Sequence, residues 1–354
     1  MKSVLILTKT DWNEPPRIRH QISRLLKEKG YNVHYVEKSS YNSIIPKKRI
    51  EEGIKFYRHS ELIHHQLRYT KLIQNLNNLV VKFYLKKILK NRDFDCILNF
   101  CYDYSFLKEI VKDTKIVTFI NDDFEEQAKL GMRKQIKNQL RDTCYISNHI
   151  ITVSYPLRSK LKCYNNNVTL LFPWSQYHYK VPNKESSRNT VLYFGFVGRI
   201  NWDDVIKLVK STEYHFRFVG PIIRKTDKSI IIDLANNNPN FEYIAYSNFE
   251  DLITDDVFCS ILPYDKNIKS VQACTVSNRA FNLLSKGLPL VYSDLYNLIE
   301  APSSVIRKNK SVEEYKDSLL FFKNNFNEIQ PDIKDFLDDH YKNNRWDLLK
   351  KIIN

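Results

Sequence analysis

The stretch TVSNRAFNLLSKGLPLVYSD, residues 275–294, decides how the rest of the chain is read. Asn278 and Arg279 open an apolar run of helical length (Ala280, Phe281, Leu283, Leu284). Gly287 stops it, and Leu290, Val291 and Tyr292 continue as an extended segment. Helix, left-handed stop, strand is the order this spacing predicts. A helix N-terminus gathers unpaired N–H groups and the positive end of the peptide dipoles, so an anion settles there. Arg279 adds a planar fork of donors suited to a diphosphate. Taken alone, the segment describes equally well an ordinary αβ unit with a surface arginine.

Working outward, the same alternation fills the chain. An apolar run at 3–8, a loop at 9–16, a helical pattern at 17–29, Gly30 and a strand at 33–36 make a βαβ opening. Such an opening implies a parallel sheet with ligands at the C-terminal ends of its strands. Further strands are predicted at 96–100, 116–120, 149–153 and 168–172. A polar stretch at 174–189, with Pro182 and the Ser186–Ser187 pair, reads as a linker. A second series follows: strands at 191–197, 216–219, 241–245, 258–262 and 290–292, with helices at 203–211 and 229–236. Two successive doubly wound units give an α/β chain of two Rossmann-like domains. The chain ends in an amphipathic pattern carrying Trp346, Leu348, Leu349, Ile352 and Ile353.

The order asparagine, arginine, apolar turn, then Ser285-Lys286-Gly287-Leu288-Pro289-Leu290-Val291 resembles the nucleotide-sugar-binding segment of family-4-like, "group 1" glycosyltransferases. Other landmarks of that family appear in sequence. Leu5-Ile6-Leu7 and the run from Trp12 through Pro15, Pro16 and Arg19 to His20 resemble its first strand and acceptor-side loop. Ile120-Asn121-Asp122-Asp123-Phe124 stands at the strand end where many relatives carry a histidine or aspartate. Ile150-Ile151-Thr152-Val153-Ser154 resembles the strand that ends the first domain. Phe194-Gly195-Phe196-Val197-Gly198-Arg199, Phe218-Val219-Gly220-Pro221 and Ile261-Leu262-Pro263-Tyr264 resemble three strand ends of the second.

The resemblance implies the GT-B fold, two Rossmann-like domains facing a cleft with the C-terminal helix crossing back to the first. It implies an acceptor-side domain at 1–178, a linker at 179–190, a nucleotide-sugar domain at 191–335 and the crossing helix at 336–354. It further implies transfer from a nucleotide-sugar donor, UDP or GDP, to a lipid-linked glycan or other cell-surface polysaccharide precursor, without a cofactor. Gly198, Arg199, Gly220, Pro221, Tyr246, Pro263, Tyr264, Asn278, Arg279 and Asn282 are then the donor-binding residues. The chain also departs from the pattern. Where relatives often carry two glutamates, one gripping the ribose, it has Cys274 and Asn282, and Asp204 replaces a frequent lysine.

Breaking a glycosidic C–O bond leaves a nucleoside diphosphate whose growing charge needs preorganised positive groups. No D-x-D pair and no His/Cys ligand set stands at the predicted cleft, so no metal is expected, and Arg199 and Arg279 carry that role. An inverting reaction also needs a base near the acceptor hydroxyl. Asp122 and Asp123 are candidates, although an aspartate pair there also reads as a helix cap. His20, His149 and the His64–His65 pair are alternatives with structural readings of their own. Tyr246 and Tyr264 follow strands and suit stacking on a base or sugar, or plain core packing.

Composition sets the outer bounds. At 354 residues and 42.2 kDa the chain exceeds one usual core. Residues 1–180 hold 32 Lys and Arg against 17 Asp and Glu, so the whole net charge of +15 belongs to the first half. Such asymmetry points to an anionic partner: a membrane surface, a nucleic acid or a polyanionic acceptor. Residues 61–92 read as one basic amphipathic helix, with Arg68, Lys71, Lys82, Lys86 and Lys90 on one side and Tyr69, Ile73, Leu76, Val80 and Tyr84 on another. The six cysteines show no CxxC spacing and read as reduced core thiols. No apolar stretch is long enough to span a bilayer, so a chain that is either cytoplasmic or peripheral on the inner face of the plasma membrane is expected. A GT-B-fold epimerase is the second reading. A nucleic-acid binder is the third, with no motif behind it beyond the basic charge.

Overall fold

The computed structural model describes every residue except 15–16, 39–46, 65–66, 69, 91, 184–186, 223, 246, 274–276 and 297. Pro15, Pro16, His65, Tyr69, Ser186, Tyr246 and Cys274 therefore lie outside the described residues. The chain forms two compact units, Met1–Phe172 with Asn343–Asn354, and Pro173–Lys342.

The first unit opens with β1 (Ser3–Leu7), α1 (Ile18–Glu28) and β2 (Asn32–Val36). A hairpin absent from the sequence reading follows, β3 (Lys47–Glu51) and β4 (Ile54–Arg58). It turns through Glu52 and Gly53 at φ +49° and +69°, the two-residue turn whose twist matches a hairpin. Next come α2 (Lys71–Leu89), β5 (Cys96–Asn99), α3 (Leu107–Ile110), β6 (Lys115–Ile120), α4 (Arg133–Ile146), β7 (His149–Thr152), α5 (Tyr155–Lys162) and β8 (Val168–Leu170). The strands lie in the order β3-β4-β2-β1-β5-β6-β7-β8, parallel except for the β3–β4 pair. The chain runs outward from β1 and then returns to β5, so the switch point of this sheet lies between those two strands.

The helix expected over 61–92 is shorter. It begins at Lys71, where the Thr70 hydroxyl accepts the Ile73 N–H at 3.3 Å. Arg68 is not on a basic stripe: it is buried between Glu61 and Asp103, 3.1 Å from each. The opposite burial pattern holds α2 in place, with Val81, Leu85 and Ile88 packed into one cluster with Leu5, Leu7 and Ile97.

The second unit contains β9 (Thr190–Phe194), α6 (Trp202–Ser211), β10 (His215–Val219), α7 (Lys225–Asn237), β11 (Phe241–Ile244), β12 (Val257–Leu262), α8 (Asn278–Ser285), β13 (Leu290–Ser293), β14 (Ile306–Asn309), α9 (Val312–Asn325) and α10 (Gln330–Asp338). Its sheet is parallel in the order β11-β10-β9-β12-β13-β14. That is the doubly wound dinucleotide-binding order, with its switch point between β9 and β12. The polar stretch after Pro173 packs on this unit, where Ser175 N–H donates to the His340 carbonyl (3.0 Å) and Lys180 N–H to that of Ser285 (2.8 Å). The last helix, α11 (Lys342–Ile353), belongs with the first unit. Trp346 meets the Tyr31 ring edge-on at 5.8 Å, and Tyr31 donates to Asn354 Oδ1 at 3.0 Å. Among the described residues, no helix is long and apolar enough to cross a membrane.

Candidate active site

Beside the switch point of the second unit, the loops that leave the C-terminal ends of β9 and β10 are in contact. Gly195 and Gly220 sit at φ +122° and +142°. A Cβ on Gly220 would stand 2.0 Å from the Gly195 carbonyl oxygen, so only glycine allows this approach. The loop after Gly195 is pinned on both sides: Val197 N–H donates to the Pro221 carbonyl (3.0 Å) and Asn201 N–H to that of Pro263 (2.8 Å). Pro221 and Pro263, expected as ligand contacts, thus hold the loop through their carbonyls. Gly198 lies beside Asp227, whose Oδ1 accepts the Trp202 indole N–H at 2.8 Å.

Arg199 occupies that loop at φ +61°, a left-handed conformation that costs a non-glycine residue roughly 1–2 kcal/mol. Its carbonyl accepts the Asp265 N–H at 2.8 Å, next to the bridge between Ile200 and Tyr264. Strain of this kind concentrates at functional sites. Asp204, which stands where a lysine was expected, belongs to the cap of α6 instead. Asn201 Oδ1 accepts the Asp204 N–H (3.4 Å), and Asn201 Nδ2 donates back to its carboxylate (2.6 Å).

Arg279 lies in the first turn of α8. Nη1 donates to the Phe194 carbonyl (2.9 Å) and the Tyr193 hydroxyl (3.2 Å), and Nη2 donates to the Tyr264 hydroxyl. Its guanidinium carbon stands 5.1 Å from the Tyr193 ring centre and 5.8 Å from that of Tyr264. Every one of these partners is neutral, and among the described residues no carboxylate forms an ion pair with Arg279. A fixed arginine held by neutral acceptors keeps its full charge for an anion. Ser277 makes no side-chain cap. Ser277 Oγ, Asn278 Nδ2 and Asn282 Oδ1 are buried with no hydrogen-bond partner among the described residues. Such groups are uncommon in native proteins. Tyr264, read as a stacking residue, serves here as an acceptor for Arg279. Tyr193 carries no signal in the sequence, where it looks like part of an apolar strand, and nothing local to Gly195 shows that it faces Arg279. A Cβ on Gly195 would fall 2.5 Å from Arg279 Nη1.

In the first unit, Asp122 and Asp123 follow β6 but have different neighbours. Asp123 Oδ1 is 2.8 Å from Lys160 Nζ and accepts the Glu126 N–H at 3.2 Å. Residues 124–127 form a turn in place of the expected helix start. Among the described residues, Asp122 accepts from two side-chain amides, Asn121 (3.0 Å) and Gln127 (3.1 Å). His20 is held by its own neighbourhood. Its Nδ1 accepts the Arg17 N–H at 3.0 Å, its ring packs on Trp12 at 4.9 Å, and burial, then the charge of Arg19, holds its pKa down to about 4. His149 bonds Thr169 across neighbouring strands at 2.8 Å. Arg19 itself is buried. Desolvation and the charge of Arg17 lower its pKa, while Asp122 opposes them. Among the described residues, no group of three or more His, Cys, Asp or Glu side chains is placed to hold a metal ion.

No protein-family model matches the sequence, and no curated protein matches it. Solved structures do match. A sucrose-phosphate synthase from Thermosynechococcus elongatus aligns with 100% of this chain and 96% of its own, at TM-score 0.69 and 9% identity. The lipopolysaccharide outer core galactosyltransferase WaaB, in its apo form, aligns over 100% and 99% at 0.68 and 11%. A trehalose-6-phosphate structure from E. coli bound with UDP-2-fluoro glucose aligns over 100% and 99% at 0.68 and 10%. At such identities the likeness is one of fold, and it extends over the whole chain: the protein has the two-domain α/β architecture of the GT-B glycosyltransferases.

Proposed function

We propose that the protein is a glycosyltransferase that takes a sugar from a nucleotide donor, UDP or GDP, and passes it to a glycan acceptor. The observation that carries this reading is Arg279. It is a guanidinium at a helix N-terminus with no carboxylate partner among the described residues, at the switch point of a sheet in the dinucleotide-binding strand order. Solved relatives of the same fold, bound with UDP-2-fluoro glucose or with UDP, support it. The diphosphate would lie against Arg279, Arg199 and the first N–H groups of α8, and Asn278 and Asn282 would take the sugar or ribose hydroxyls. These groups bind the charge that grows on the leaving diphosphate, so the reaction needs neither a metal nor a cofactor. The acceptor is a lipid-linked glycan or another cell-surface polysaccharide precursor, and nucleic acid is not a partner. The excess positive charge of the first half supports an anionic acceptor surface.

A thermal-shift series with UDP, GDP, dTDP and CMP tests this reading. Ligand at 100 times its dissociation constant adds about 2.7 kcal/mol to the native state, a shift of several degrees. One of the uridine or guanosine nucleotides should give it, and it should persist in EDTA. A flat response to all four would overturn the donor-site assignment, and a shift lost to EDTA and restored by magnesium would overturn metal independence.

Asp122 is the better candidate for the acceptor base, because Asp123 is neutralised by Lys160. Asp122→Asn should cut turnover by about 100-fold or more, the usual share of general-base catalysis, with the melting temperature unchanged. Asp123→Asn should instead lower stability by about 1 kcal/mol, as for a partly exposed ion pair. Equal turnover in Asp122→Asn and the parent, measured with saturating donor, would remove Asp122 from the mechanism.

A further inference from the structure

The face that α2 turns away from its sheet is apolar. Taking about 100° per residue, Leu72, Leu76, Leu79 and Phe83 fall within roughly 60° of arc. They lie opposite Val81, Tyr84, Leu85 and Ile88, which are buried. Each of the four outward residues is 50 to 70% exposed. Single exposed leucines are ordinary on a protein surface, but a contiguous stripe three turns long is not. Its border is basic. Lys86, Lys87 and Lys90 are exposed around the Phe83 end, with Lys87 Nζ 4.2 Å from the Phe83 ring centre, and Lys71 is exposed at the other end. Lys82 is turned aside to Glu109. No aspartate or glutamate occurs between Lys71 and Lys90.

We infer that this face of α2 lies in the surface of an anionic phospholipid bilayer, with Leu72, Leu76, Leu79 and Phe83 in the headgroup–acyl boundary and the lysines on the phosphates. The charge pattern selects this occupant. A second copy of the same face would bring another basic border, Lys71 at one end and Lys86, Lys87 and Lys90 at the other, with no carboxylate between Lys71 and Lys90 of either copy to answer it, a like-charge juxtaposition that opposes association. An anionic bilayer offers the opposite charge and an apolar phase together, which is the environment such interfacial helices occupy. Attachment by charge alone would leave the four apolar side chains unexplained. The inference does not depend on the transferase reading, since membrane partitioning is measured without donor or acceptor.

The test uses the full chain and sedimentation with vesicles of equal parts phosphatidylglycerol and phosphatidylcholine, against pure phosphatidylcholine. The parent should bind the first strongly and the second weakly. Lys86→Glu with Lys87→Glu and Lys90→Glu should reduce binding at least 100-fold at low salt, each charge being worth roughly fivefold near such a surface. Leu79→Gln with Phe83→Gln should reduce it at least tenfold, and what remains should vanish at moderate salt. All these positions are exposed, so both variants should melt with the parent. An environment-sensitive dye on Leu76→Cys, in a background of Cys163→Ser with Cys274→Ser, should shift to the blue on anionic vesicles. Equal sedimentation of the Leu79/Phe83 variant and the parent would overturn the inference, and so would failure of the parent to bind. A parent that dimerises, with the same variant monomeric and still bound to vesicles, would assign the face to a second copy instead.

Discussion

Arg279→Ala is expected to weaken nucleoside diphosphate binding by about 10- to 150-fold, because a charge-assisted hydrogen bond contributes roughly 1.5–3 kcal/mol and each 1.4 kcal/mol is a factor of ten. Turnover should fall further, since the same fork meets charge that grows as the glycosidic bond breaks. The direction follows from how the side chain is held. Two tyrosine hydroxyls and the Phe194 carbonyl fix the guanidinium without neutralising it, so its charge is spent on nothing inside the protein. Arg279→Lys should rescue only part of the loss, because one ammonium cannot serve three acceptors and a phosphate in one plane. Gly195→Ala should imitate the defect from a position with no donor groups of its own, since its Cβ would press on Arg279 Nη1 from 2.5 Å. Removing Arg279 also strands its three acceptors, so a modest fall in melting temperature should accompany the effect. Calorimetric binding must therefore be read on material shown to be folded. Arg307→Ala is a fair control: Arg307 lies in β14 with its guanidinium 4.3 Å from the Phe321 ring centre. Affinity unchanged in Arg279→Ala would take this residue out of the site.

What the sequence made legible depended on range. Apolar runs closed by Gly30, Gly220 and Gly287 show strand and helix ends directly, because those signals are local, whereas the run at 191–197 hides that β9 ends at Phe194. The β3–β4 hairpin was missed because its strands are mostly charged: Lys48, Arg49, Glu51, Lys55 and Arg58 hide the alternation that carries Ile54 and Phe56 into the core. The start of α2 was misplaced for a different reason. Its apolar period runs unbroken back to Glu61 in sequence, but Arg68 is drawn out of register by Asp103, 35 residues later. Such a partner leaves no trace in a local window. The site divides the same way. Asn278, Arg279 and Asn282 were visible as a segment, whereas the tyrosine cradle around Arg279 comes from strands 86 and 15 residues earlier. Asp122 and Asp123 are indistinguishable in sequence, and only the fold brings Lys160, 37 residues on, to Asp123.

Arg68→Ala is expected to destabilise the first unit by about 3–5 kcal/mol, the cost of stranding buried charge when one member of a buried pair is removed. The side chain is 1% exposed and touches both Glu61 Oε2 and Asp103 Oδ2 at 3.1 Å. Its Nε also donates to the Ile63 carbonyl at 2.9 Å. Lys9, 2.6 Å from Asp103 and 4.0 Å from Glu61, completes a group of two cations and two carboxylates. Take away Arg68 and two buried carboxylates face one lysine, which is itself only partly screened by water. For a unit of this size a loss of that order corresponds to a fall in melting temperature of roughly 6–20 °C. Arg68→Lys should lie between, since a point charge cannot bridge both carboxylates as the planar fork does. Replacing Arg68, Glu61 and Asp103 together with apolar residues of similar volume should recover much of the loss, because the penalty comes from unpaired charge and not from the absence of the pair. Asp103 and Lys9 follow β5 and β1, so the same group fixes the loops at the switch point of the first sheet. Nucleotide binding by the second unit should survive in Arg68→Ala at low temperature, which separates a folding defect from a binding one. Calorimetric melting decides the matter: an Arg68→Ala protein that unfolds within about a degree of the parent would show that water, not Arg68, compensates Glu61 and Asp103.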